Sequence, residues 1–138
     1  MPVTPDLLRL VPLFNGMTDR SFEAIAQLAR EADYAGGEDL VRQGAPGDTF
    51  LIIVSGRARV HRDGKTLREL GPGDFLGEIA LVDGSPRTAT VTALEPIAAL
   101  VVERQGFLDL IERIPVLRHE VLNALTQRIR ATVGDPLD

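Results

Sequence analysis

Cysteine is missing from this chain, and with it disulfides, thiolate metal sites and cysteine nucleophiles. Tryptophan is missing too, and Tyr34 is the only tyrosine. The two histidines, His61 and His119, are far apart in sequence and have no partner at ligand spacing. No metal site follows, and both read as solvated. No apolar run approaches the roughly 18 residues of a spanning helix. The opening Met1-Pro2-Val3-Thr4-Pro5-Asp6 has neither the basic start nor the apolar block of a signal peptide. Positive charge is short as well: 15 Lys and Arg against 20 Asp and Glu leave a formal −5. Direct nucleic-acid binding is therefore not expected. A cytoplasmic protein without a membrane span is.

What is present suits one domain. The 138 residues are 44% hydrophobic and 25% charged, enough for a real core. Pro5 to Leu13 predicts a short helix stopped before Pro12. Thr18 can cap a second, in which Phe22, Ile25, Ala26 and Ala29 recur at i, i+3, i+4 and i+7. From Tyr34 the texture changes to short strands separated by glycines. Thr49 to Val54 is almost continuously apolar, a strand buried on both faces, while Ala58-Arg59-Val60-His61 alternates. Asp63-Gly64 is a two-residue hairpin signal. Thr88 to Ala93 alternates again, and Ala98 to Val102 is a last buried strand. Such spacing points to a sandwich or jelly roll. After Arg104 the helical period returns in Phe107, Leu108, Leu110 and Ile111. Beyond Pro115 a longer helix carries Val116, Leu117, Val121, Leu122, Leu125, Ile129 and Val133, with Gly134 as its stop.

The densest stretch runs from Gly73 to Val91. Gly77-Glu78-Ile79-Ala80-Leu81 is helix-competent and opens on a glycine that permits close backbone approach. A helix starting there presents free N–H groups and a positive dipole end, which suits an anion. Asp83-Gly84-Ser85-Pro86 reads as a turn. Arg87 follows, its planar fork of donors matched to phosphate or carboxylate. Glu78 would repel that anion unless it accepts hydrogen bonds from hydroxyls on the same ligand. Anion, hydroxyls and an apolar body together describe a nucleotide or a sugar phosphate.

This stretch closely resembles the phosphate-binding cassette of cyclic nucleotide-binding domains, F-x-G-E-[IL]-A-L, a spacer, then P-R-[ST]-A. Phe75, Gly77, Glu78, Ile79, Ala80, Leu81, Pro86, Arg87, Thr88 and Ala89 fill every fixed position. The family's G-x-x-G-D frame is matched by Gly44-Ala45-Pro46-Gly47-Asp48, then Thr49, Phe50 and Gly56. Leu8-x-x-Val11-Pro12-Leu13-Phe14 also looks like the leading segment of the bacterial receptors. The resemblance implies an α+β, mainly β fold: a double-stranded β-helix jelly roll flanked by N-terminal helices and a long C-terminal helix. Residues 1–33 would form the N-terminal helical segment, 34–103 the jelly roll with its cassette at 73–91, and 104–138 the C-terminal helices and tail, all one domain.

By the same resemblance Arg87 pairs with the cyclic phosphate, assisted by the backbone N–H groups of Ala80 and Ala89. Glu78 accepts the ribose 2′-hydroxyl, and Gly77 lets the backbone reach the ribose, with Ile79 in the same site. Val60, Leu67 and Val91, core residues by default, form the apolar wall against base and ribose. Thr88 bears on nucleotide choice without settling it, and is equally a plain β-former. On the last helix Arg128 and Thr132 match positions that contact the purine, although a basic residue near a helix C-terminus favours the dipole anyway. An aromatic cap from that helix is excluded, leaving Leu125 or Ile129. The resemblance implies a cyclic nucleotide as ligand, cAMP ahead of cGMP, with no cofactor and no metal expected.

The implied function is non-catalytic: a regulatory sensor whose C-terminal helix moves with the ligand. One alternative is the N-terminal sensor fragment of a larger transcription factor, channel, transporter or enzyme, its effector unknown. A cupin-like metal enzyme is another, but it needs a cluster of His and Glu that two isolated histidines do not supply. No helix-turn-helix follows the last helix in this sequence. The stripe Val121-Leu125-Ile129 can pack on the barrel or on its own copy, and a monomer or weak homodimer is expected.

Overall fold

The computed structural model describes residues 5–9, 11, 14–76 and 86–133, with side chains of the last helix through Asn123 and at Thr126. Two short helices lead, α1 (Pro5–Leu8) and α2 (Asp19–Leu28). Thr18 caps α2 as its sequence predicts, its hydroxyl accepting from the Ser21 N–H at 3.2 Å. The helical period extends to Ala29, yet α2 ends at Leu28. Ala29 instead pairs with Val102 and opens β1 (Ala29–Tyr34), so strand pairing overrides local periodicity.

The strands that follow are β2 (Asp39–Val41), β3 (Thr49–Ser55), β4 (Ala58–Arg62), β5 (Lys65–Leu70), β6 (Phe75–Leu76), β7 (Thr90–Ala93) and β8 (Ile97–Glu103). They form two antiparallel four-stranded sheets, ordered β1-β8-β3-β6 and β2-β7-β4-β5. Helices α3 (Arg104–Arg113) and α4 (Pro115–Val133) complete the mainly β jelly roll that the strand spacing anticipates.

Two cores explain the continuous apolar strands. Between the sheets, Leu51 and Ile53 of β3 meet Val60, Val91, Ala99 and Val101. On the opposite face of the first sheet, Phe50 and Ile52 meet Leu100, Val102 and the helices through Phe22, Phe107, Leu110 and Leu117. A strand covered on both faces cannot alternate in polarity, and β3 does not. The Asp63-Gly64 turn joins β4 to β5 across the Arg62–Lys65 pair, both turn residues having positive φ of 52° and 83°. Those dihedrals are what a type I′ hairpin requires.

The outer face of the second sheet is polar, and it corrects the reading of His61. That ring is half-buried, with Nε2 2.9 Å from the Thr92 hydroxyl, which in turn donates to Asp39 Oδ1 at 2.6 Å. With the hydroxyl proton committed to Asp39, His61 Nε2 must carry the hydrogen that Thr92 accepts. His119 is exposed, beside Asn123. The stripe on α4 is also narrower than expected. Leu117 and Val121 are buried, while Val116 and Leu122 are 47% and 53% exposed. Each sits one residue, or about 100°, round from a buried neighbour.

Candidate anion and nucleotide site

Arg87 is the centre of the site and is nearly sealed, with 6% of its surface exposed. A guanidinium taken that far from water requires acceptors or an anion. Its Nη2 donates to the Thr49 carbonyl oxygen at 2.7 Å and to the Thr49 hydroxyl at 3.0 Å. The backbone is held as firmly. Arg87 N–H donates to the Ala45 carbonyl, and the Gly44 N–H to the Arg87 carbonyl, both at 2.9 Å. One residue earlier in the loop, the Gln43 N–H donates to the Thr90 hydroxyl at 2.9 Å. The β2–β3 loop thus grips Arg87 on both sides. Gly44 makes that grip possible with a φ of +83°, a conformation L side chains rarely adopt.

The G-x-x-G-D frame therefore acts by delivering Thr49 and two backbone partners to the arginine. Thr49, Gly44 and Ala45 are absent from the residues that sequence reasoning placed in the site. Their signal is in that frame, which holds Gly44 and Ala45 and which Thr49 directly follows. A cleft of about 360 Å³ opens on this side of Arg87, bordered by Arg42, Ala45, Pro46, Asp48 and Thr49. Of the expected site residues that are described, Arg87 alone lines it.

The apolar wall is brought together in part. Val60 and Val91 are partners across β4 and β7, buried to 3% exposure each in the inter-sheet core. Leu67 corrects the core reading: it is 46% exposed, beside the register shift in β5 opposite Val60 and His61. A bulge leaves its extra residue without a partner across the ladder. Next to it Arg68 pairs directly with Val60 and so shares the inner face of the sheet. Thr88 is exposed and Ala89 half-buried, directly after the arginine. Arg62, not anticipated from the sequence, donates from Nε to the Thr88 carbonyl at 2.7 Å. Gly77, Glu78, Ile79 and Ala80 lie outside the described residues, as do the side chains of Arg128, Thr132, Leu125 and Ile129. Among the described residues no group of three or more His, Cys, Asp or Glu is arranged to hold a metal.

A buried arginine held from two sides and bordering a cleft suits a small anionic ligand. The chain belongs to the cyclic nucleotide-binding domain family, whose profile matches residues 31–114. It is 36% identical over 122 residues to a Drosophila melanogaster cGMP-dependent protein kinase, covering 83% of this chain and 13% of the kinase. It is 31% identical over 124 residues to the cyclic AMP receptor protein of Thermus thermophilus, covering 86% of this chain and 57% of that protein. In structure it is similar to cAMP-bound PfPKA-R, with a TM-score of 0.80 and 26% identity, covering 96% of this chain and 47% of that one. The chain thus spans about a tenth to a little over half of the relatives named here. Among the described residues no helix is long and apolar enough to cross a membrane.

Proposed function

We propose that this chain is a non-catalytic sensor module that binds one 3′,5′-cyclic nucleotide, with the phosphate on Arg87 and the ribose 2′-hydroxyl on Glu78. The burial of Arg87 and its fixation through Thr49, Gly44 and Ala45 carry the reading. An arginine held in place before the ligand arrives loses little entropy on pairing with phosphate. Gly77, Ile79, Ala80 and Ala89 complete the phosphate and ribose contacts, and Val60, Val91 and Leu67 face the base. The exposure of Leu67 suits a side chain that a ligand would cover. Helical segments and jelly roll act as one domain, as a monomer or weak homodimer.

Aromatic packing supports a coupling of the ligand to α4. Phe75, which leads into the cassette, lies 5.5 Å from Phe50, and Phe50 stacks on Phe107 of α3 at 4.4 Å. A cassette that closes on a nucleotide would therefore press on the packing from which α4 departs. Arg128 and Thr132 are the purine contacts in this reading.

Among the ligands cAMP is favoured, since two of the three relatives above carry cAMP in their names. One observation favours a second reading, cGMP. Arg68 shares the inner face with Val60, and a guanidinium fork matches the O6 and N7 acceptors of guanine. Calorimetric titration with each nucleotide tests both. Ligand at about 100 Kd adds about 2.7 kcal/mol of stability, a melting shift of several degrees. No heat and no shift with either nucleotide at millimolar concentration would refute the proposal. Tighter cGMP binding that Arg68→Ala alone abolishes would replace cAMP by cGMP.

A further inference from the structure

Arg62 is the last residue of β4 and lies on the inner face with Ala58 and Val60, while His61 between them turns outward to Thr92. Its Nε donates to the Thr88 carbonyl oxygen at 2.7 Å, across 26 residues of chain. Among the described residues its two terminal nitrogens make no hydrogen bond, so the contact with Thr88 is what orients this side chain. A second link ties the same hairpin tip to the arginine loop: the Gln43 side-chain amide donates to Asp63 at 3.3 Å.

The position of Thr88 gives the contact its meaning. Arg87 is fixed by Gly44 and Ala45, and ladder pairing on β7 resumes only at Thr90. Thr88 and Ala89 bridge these two anchored points. The peptide between them is planar and trans, so its carbonyl and its N–H point in opposite directions. Pinning the Thr88 oxygen therefore also sets the direction of the Ala89 N–H. That N–H is one of the two backbone donors assigned to the phosphate.

We propose that Arg62 is a positioning residue of the nucleotide site, holding the Thr88–Ala89 peptide so that the Ala89 N–H stays aimed at the ligand's anionic group. The inference rests on the cyclic-nucleotide reading above. Three variants separate the hydrogen bond from the charge. Arg62→Gln carries an amide nitrogen at the bond position of Nε but no charge. Arg62→Lys keeps the charge but has a methylene there, and Arg62→Met has neither donor nor charge.

Arg62→Met is expected to weaken cAMP and cGMP by the same factor, roughly tenfold, the scale of one hydrogen bond made by a charged group. Arg62→Gln should retain most of the native affinity, and Arg62→Lys should not. In the ligand-free protein the Ala89 amide resonance should move in Arg62→Met and return towards its native position in Arg62→Gln. Loss confined to one purine would make Arg62 a base contact and overturn the proposal. Full rescue by lysine without rescue by glutamine would reduce its role to charge and also overturn it. Native binding unchanged in Arg62→Met would sink the Arg62 inference alone, whereas a native protein that binds neither nucleotide removes the functional reading as well. Should Arg62→Met fail to fold, the contrast between glutamine and lysine decides.

Discussion

Arg87 and Thr49 are 38 residues apart in sequence, yet one guanidinium nitrogen of Arg87 meets both oxygens of Thr49, at 2.7 and 3.0 Å. The pairing ties the buried guanidinium to the start of β3 instead of leaving it on a loop. It also divides the roles: the Thr49 carbonyl is a backbone acceptor that no substitution removes, and the hydroxyl is a second one that a substitution can remove.

Thr49→Val deletes only that second acceptor. Affinity for the cyclic nucleotide should fall modestly, about tenfold for one hydrogen bond made by a charged group and worth about 1.5 kcal/mol. Arg87→Leu removes the charge itself, and the loss should reach about 30- to several-thousand-fold. Calorimetry on both variants, with melting curves to show that they fold, makes the comparison. Equal losses would mean that Thr49 orients Arg87 far more strictly than two contacts suggest.

Glu78→Gln keeps the size and one acceptor oxygen while losing the charge, and should cost about 1–3 kcal/mol of binding. A 2′-deoxy cyclic nucleotide should bind the native protein weakly, and the variant should discriminate less against it. Arg87→Leu should leave that discrimination nearly unchanged. The double cycle of protein and ligand reads the coupling directly. Additive losses for Glu78→Gln and the deoxy ligand would remove Glu78 from the ribose.

Helix α4 joins the domain core through Leu117 and Val121, the buried residues of its described stretch. Amide exchange from about Val116 onward should slow when the nucleotide binds, as the far part of the helix gains a partner. Equal protection with and without ligand would show a helix fixed in both states.

Asp39, which borders the same cleft as Arg87, supplies a pH prediction for stability. The Thr92 hydroxyl, and after it Arg42 and His61, hold its carboxyl below the ordinary value of 3.8. A depressed carboxylate pKa stabilises the fold above the unfolded value and loses that contribution as pH falls through the folded one. The native protein should therefore exceed Asp39→Asn in urea midpoint near neutrality. The gap should close as pH drops below about 3.8. A gap that is constant down to low pH would assign the difference to shape and not to charge.

Much of this protein is decided within short stretches. Thr18 before Asp19 suffices for a capped helix, and Asp63-Gly64 for a tight hairpin, because caps and turns depend on the dihedrals and donors of three or four neighbours. The unbroken apolar run of β3 likewise announces burial on both faces, and Phe50 and Leu51 divide between two cores as it requires. The cassette is legible for a similar reason, since its glycine, acid and arginine keep a set spacing. What tertiary structure alone decided is how distant stretches come into register. Ala29 joins a strand because Val102 is its partner, although the local period is helical. His61 is tied to Thr92 and Asp39 because β2, β7 and β4 lie side by side in one sheet. Leu67 is exposed at a shift in β5 pairing. Arg62 reaches Thr88 because the hairpin folds against the strand that follows the cassette. Periodicity tells which face of a strand is buried, but it carries no information on which neighbour will stand opposite.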